Sequence, residues 1–241
     1  MSDPAESAPA SLEERLERMW VDAARSGRRL PGEPALAAAL SSSRPAVREA
    51  LIRLEERGYI HRRKGADTTV NQALLDIPAR FDRRIEESEL IRAMGQEPRL
   101  DVLASAVERI TLDEATTHDL SPGTAVLRVV KRWSADGVPV LLARDAVPVL
   151  QGDAGDVDPA LPMVDIAVAL TGERVEWEVV RPGAEAFDAE QAAQVDRPVG
   201  EPALALDVTG VARTGQVCYW TSELHVRGAF RYAMVRRADW R

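Results

Sequence analysis

Between residues 111 and 226 one order of local signals occurs twice, and a duplicated order restricts a chain to folds in which two like halves share a core. Thr111-Leu-Asp-Glu114 reads as a capping box that opens a helix to Leu120; Pro122-Gly123 then turns into a strand, Val126 to Val130, and Ala135-Asp-Gly137 turns into a second, Val140 to Leu142. Downstream, Asp188-Ala-Glu-Gln191 caps a helix to Val195, Gly200-Glu-Pro202 turns into Leu204 to Val208, and Arg213-Thr-Gly215 turns into Val217 to Trp220. Gly123 and Gly200 lie 77 residues apart, and Gly137 and Gly215 lie 78 apart. Two helix-plus-hairpin units of this kind pair into one antiparallel sheet with helices on a face, an α+β domain. Alternation at Leu100 to Ile110 and at Val175 to Val180 adds two strands, so the pattern predicts six.

The first 72 residues follow a different rule. Ser11-Leu-Glu-Glu14 is a capping box, and Leu12, Leu16, Met19, Trp20 and Ala23 follow at helical spacing until Gly27. Pro34 sits where a first helical residue tolerates it, with Leu36, Ala37 and Leu40 making a short second helix. Ser41 to Ser43 turn the chain, and Ser43 caps a third helix whose inner stripe is Val47, Ala50, Leu51 and Leu54, ended by Gly58. This is helix-turn-helix spacing. Tyr59 to Arg63, Lys64 to Asp67 and Thr68 to Val70 then read as a strand, a basic turn and a returning strand, which is a wing. Asn71 to Arg84, broken by Pro78, has weak periodicity and reads as a linker from 73 to 84.

Charge divides the chain in the same place. The net charge of -8 over 241 residues argues against a nucleic-acid binder until it is split. Arg25 to Lys64 holds ten basic residues against four acids, whereas Asn71 to Arg241 holds 19 against 28. A basic module precedes an acidic one. Arg44 and Arg48 share a flank of the third helix near its capped end, where a recognition helix meets base edges, and arginine forms a bidentate hydrogen bond with guanine. Ser41, Ser42 and Ser43, with the helix N-terminus at Pro45, can hold a phosphate; Arg62, Arg63, Lys64, Gly65 and Thr68 place the wing against phosphates or a minor groove.

Composition closes other routes. No stretch approaches about 18 unbroken apolar residues, and Met1 to Ala10 is acidic and small, a flexible tail rather than a signal peptide. One cysteine and three histidines leave no disulfide and no metal cage, so no metal or other cofactor is expected. No nucleophile, base and orienting acid stand together in a pattern that specifies catalysis. The expectation is a cytoplasmic protein, nucleoid-associated when bound to DNA.

Leu30-Pro31-x-Glu33, Leu36-Ala37, Ser43-Arg44-x-x-Val47-Arg48-x-Ala50-Leu51, Leu54-x-x-x-Gly58-Tyr-Ile60 and Arg62-Arg63-x-Gly65 resemble the winged helix of GntR-family bacterial transcription regulators. Two positions depart from the family pattern: Gly32 stands where serine is usual, and Asp67 puts an acid at the wing tip in place of a second glycine. Residues 85–241 resemble the UTRA effector domain of the HutC branch, through Met94-Gly95, Pro122-Gly123, Arg132 ahead of Asp136-Gly137-x-Pro139, Leu170-x-Gly172 and His225-Val-Arg-Gly228. That resemblance implies a chorismate-lyase-like fold, a small molecule held between its halves, and a homodimer that reads a palindromic operator, most often as a repressor. The other large GntR branch uses an all-helical domain with an aspartate and three histidines on a metal, which the strand patterns oppose.

By the same resemblance, sugar-phosphate sensors carry two arginines two apart before the Asp-Gly turn, a hydroxyl residue at a helix start and an acid after the turn-proline strand. The corresponding residues here are Arg132 and Ser134, then Asp165, then Ala143, a set short of donors for a phosphosugar. Lys131 or Arg132, with Ser134, Arg144, Asp165, Glu223 and Tyr232, could instead hold a carboxylate or a zwitterion. Trp133, Trp177 and Trp220 either line that pocket or belong to core and dimer interface. Two alternatives stay open: a C-terminal domain that only dimerises, and a chorismate-lyase-like enzyme.

Overall fold

A computed structural model of the chain describes residues 11–62, 68–75, 77, 79–80 and 84–233. It divides into two compact units, one of residues 1–82 with 232–241, the other of residues 83–231.

The first unit is built on three helices, α1 (Leu12–Arg25), α2 (Glu33–Ala39) and α3 (Arg44–Glu56). Ser11 and Glu14 form the capping box read from the sequence, and the Ser43 hydroxyl accepts from the Ala46 amide at 3.3 Å. Pro34 occupies the second helical position, one later than the sequence placed it. Leu16, Trp20, Leu36, Val47, Leu51 and Leu54 are buried together. Trp20 ties this core to the hairpin that follows: its indole donates to the Tyr59 carbonyl at 2.7 Å and its ring meets Tyr59 edge-on at 4.7 Å. The hairpin pairs β1 (Ile60–His61) with β2 (Thr69–Val70), shorter strands than the sequence gave the wing. Beyond it, Leu74 joins the same core from a one-turn 3-10 helix, and β3 (Ala79–Arg80) pairs in parallel with β10 (Tyr232–Ala233) at the far end of the chain.

The second unit holds α4 (Glu87–Ala93), β4 (Pro98–Arg109), α5 (Leu112–Thr117), β5 (Ala125–Ala135), β6 (Val138–Pro148), α6 (Met163–Thr171), β7 (Val175–Ala186), α7 (Ala189–Val195), β8 (Pro202–Ala212) and β9 (Val217–Val226). Six strands form one antiparallel sheet in the order β4-β5-β6-β9-β8-β7, the number that the pattern predicted. The duplication is plain in this order: each half contributes strand, helix and hairpin, and the halves meet along β6 and β9. It also extends further upstream than the sequence signals showed. Helices α4 and α6 each end near a glycine with positive φ, Gly95 at +80° and Gly172 at +76°, again 77 residues apart.

Alternation along the strands sorts side chains onto two faces. Ala192 and Val195 of α7 pack with Leu142, Ala203, Ala205 and Leu224, and Ala115 of α5 packs with Val126 and Ala146, so these helices cover the back face. The front face, with Lys131, Trp133, Asp145, Thr221 and His225 buried on it, lies under α4 and α6.

Candidate nucleic-acid interface and ligand site

The exposed turn at the start of α3 is assembled from Ser41, Ser42, Ser43, Arg44 and Pro45. Ser41 takes φ +47°, a left-handed conformation rare for a residue with a side chain, and this sharp turn brings α2 close to α3. Arg44 and Arg48 are both exposed on that flank. Arg48 is 64% exposed and lies against Glu33 of α2, its Nε 3.2 Å from both carboxylate oxygens and its Nη2 2.9 Å from one. Those hydrogen bonds hold the Glu33 carboxyl below its ordinary pKa. Arg62 is more enclosed. Its Nε bonds Glu55 at 3.0 Å, its backbone amide bonds the same carboxylate at 2.9 Å, and its Nη1 is 3.8 Å from Glu33. It thereby fixes the base of the hairpin to α3. Thr68 enters β2 half-buried; Arg63, Lys64, Gly65 and Asp67 lie outside the described residues.

In the second unit, strand register separates the residues read from the sequence. Arg132 projects from the back face, where it donates to the Gln194 carbonyl of α7 at 3.0 Å and pairs with Asp101 at 2.8 Å. Arg144 is on the same face, 3.3 Å from Glu190 of α7. Ser134 is buried beside the hairpin bulge, Asp165 is exposed in the first turn of α6, and Tyr232 belongs to the first unit in β10. Glu223 is on the front face. The structure therefore does not bring Glu223 together with Arg132 and Arg144.

The front face gathers another set. Lys131 is 2% exposed, donates to the Leu161 carbonyl at 2.8 Å and pairs with buried Asp145 at 3.5 Å. Burial raises the Asp145 carboxyl and the Lys131 charge pulls it back. Glu223 meets His225 at 2.9 Å; burial pushes Glu223 up to about 8, with Asp145 and Glu178 adding repulsion, and pushes His225 down to about 3. Glu178 accepts a short hydrogen bond from the Tyr219 hydroxyl and an ion pair from Arg84 Nε at 2.8 Å. Glu87, at the start of α4, is also pushed up to about 8, by burial and then by Glu223. Sequence reasoning had weighed Lys131 and Glu223 here but missed Arg84, Glu87, Asp145, Glu178 and Tyr219, which no local motif marks. Among the described residues no group of three or more His, Cys, Asp or Glu is arranged to hold a metal ion.

Residues 9–70 match the family described as bacterial regulatory proteins, gntR family, and residues 93–231, more than half the chain, match the UTRA domain. The chain belongs to the GntR regulators that carry a UTRA domain. Solved structures agree on the fold of this GntR regulator. PhnF from Mycobacterium smegmatis is 20% identical with a TM-score of 0.60, over 95% of this chain and 100% of that one. The possible transcriptional regulator YydK from Bacillus subtilis is 13% identical with a TM-score of 0.69, over 94% and 99%. No helix among the described residues of the regulator is long and apolar enough to cross a membrane.

Proposed function

We propose that this GntR regulator is a homodimeric repressor of the HutC branch, acting in the bacterial cytoplasm. Its two winged helices read a palindromic operator, and a small molecule in the UTRA domain modulates that binding. The observation that carries the DNA-binding half is the exposed N-terminal turn of α3, where Arg44 and Arg48 stand beside a serine turn and a basic hairpin. Arg44 and Arg48 read bases, Ser41, Ser42 and Ser43 meet phosphate, and Arg63 and Lys64 add phosphate contacts. Arg62 positions the wing from its base.

The ligand half rests on the front face of the sheet. There Lys131, Asp145, Glu178 and Glu223 converge under α4 and α6, whereas Arg132 and Arg144 anchor α7 on the back. A ligand that binds one arrangement of the UTRA domain better than another shifts operator occupancy by that difference in affinity.

Fluorescence anisotropy of the purified protein on DNA from upstream of its own gene, against a scrambled control and across salt, tests the reading. Specific binding at least about a thousandfold above the control supports it. Equal, salt-sensitive binding to both fragments would point to a distant operator, to be sought genome-wide. Absence of binding to either at low salt would return the UTRA domain to the enzyme alternative.

A further inference from the structure

The front face carries a charge imbalance that its own residues do not close. Lys131 answers Asp145, which leaves Glu87, Glu178 and Glu223 around a single cation, Arg84. Arg84 bonds Glu178; Glu223 meets His225, an imidazole that burial holds neutral. These groups are recessed but not sealed, since Glu223 and Glu178 keep 14% and 15% of their side-chain exposure and Arg84 keeps 34%. A small solute can reach what water reaches.

Two further groups on this face lack partners. Thr221, 6% exposed, stands between Tyr219 and Glu223 along β9 and opposite Asp145, and its Oγ1 makes no hydrogen bond. Trp133, 5% exposed, has an indole N–H with no acceptor. A buried polar atom left unpaired costs about 1–3 kcal/mol, so native proteins keep few, and those they keep call for a missing partner. An anion would lie against three carboxylates, and no metal-ligand cluster exists among the described residues.

Resting on the reading of the second unit as the ligand domain, we infer that this recess takes an organic cation, an ammonium or guanidinium group on a small molecule, in the place that Arg84 holds in this structure. Glu178 and Glu223 pair with its charge, and the Thr221 hydroxyl and Trp133 N–H meet a hydroxyl or carbonyl on its body. Arg84 is among the first residues of the second unit along the chain. A ligand that displaces it loosens the hold on the stretch through which the two units are joined, and this couples the site to the winged helix. The raised carboxyls of Glu87 and Glu223 fit the same picture, because a bound cation draws both back toward the charged form and releases protons.

Titration calorimetry on the full chain tests this with agmatine as the cationic probe, glucose 6-phosphate as the anionic one and glucose as the neutral one. Agmatine is expected to bind, Arg84→Ala to tighten it about tenfold by removing the internal competitor, and Glu178→Gln or Glu223→Gln to weaken it by about tenfold or more. Thr221→Val, which keeps the shape and removes the hydroxyl, is expected to weaken it with little change in Tm, and so stands in if a glutamate variant fails to fold. Binding of glucose 6-phosphate or glucose in preference to agmatine would overturn the cation and leave the ligand domain standing. No heat from any probe would overturn both. Agmatine binding that Arg84→Ala leaves unchanged or weakens would overturn the displacement of Arg84.

Discussion

Arg48 on α3 is held by Glu33 on α2 through Nε at 3.2 Å and Nη2 at 2.9 Å, so the arginine proposed to read a base is already bonded to a carboxylate before DNA arrives. The exchange of Glu33 for guanine limits affinity and favours sites that offer a bidentate partner. Glu33→Gln removes a negative charge near the phosphates, and the expected result is binding to operator and random DNA raised by about three- to tenfold, with the ratio between them narrowed. Anisotropy at two salt concentrations checks it; weaker binding to both would mean that Glu33 chiefly positions Arg48. Arg48→Ala should instead cost about 1–3 kcal/mol on the operator and relax specificity at one base pair.

Gly210 on β8 faces Tyr219 on β9, and a Cβ at this glycine would come within 2.2 Å of the tyrosine ring. The missing side chain lets the ring lie across β8 and reach Glu178 on β7. Gly210→Ala should therefore destabilise the second unit by about 1–3 kcal/mol, read by urea unfolding, because the ring must leave its place and the carboxylate loses its donor.

Lys131 is one of only two lysines in the chain, and it is buried against Asp145. Lys131→Met leaves a buried carboxylate without its countercharge, and a loss of about 3–5 kcal/mol is expected. The double variant Lys131→Met with Asp145→Leu removes both charges and should recover most of that loss. A double variant no more stable than the single would show that the pair contributes through its Leu161 hydrogen bond rather than its charge.

Much of this architecture was legible beforehand, and the boundary has a physical cause. Capping boxes at Ser11, Thr111 and Asp188 and the turns at Gly123, Gly137, Gly200 and Gly215 are local, so a few adjacent residues specify them. The front face was not legible in that way. A shift of one residue along a strand moves a side chain to the opposite side of a sheet, and reading Arg132 and Ser134 rather than Lys131 and Trp133 as the inward pair is such a shift. Arg84 fell in a stretch with no periodicity, and its partner Glu178 is distant in sequence. The Glu33–Arg48 pair spans 15 residues across a turn, beyond any helical spacing rule.

Glu114 caps α5 and also takes two hydrogen bonds from Arg128, both 2.7 Å, which hold its carboxyl down to about 2. A carboxyl lowered by folding stabilises the native state above its unfolded value near 4.5 and loses that contribution as pH falls toward 2. Glu114→Gln should cost about 1–3 kcal/mol at pH 7, and the gap to the parent should shrink steadily between about pH 4.5 and pH 2. Urea melts across that range measure it; a gap independent of pH would assign the loss to the cap alone.

Asp145 and Glu223 are separated by 78 residues, the offset of the two hairpin glycines, and stand in mirrored places on β6 and β9: Asp145 opposite Thr221, Glu223 opposite Ala143. In the first half the strand beside Ala143 supplies Lys131; in the second the strand beside Thr221 supplies Val208. Each half thus brings an acid to the local two-fold axis, but only one brings a base. Symmetry is kept in the backbone and broken in the charge, and the consequence is a stoichiometry: one cation per sheet, bound to the second half, where two equal halves would have offered two sites or none.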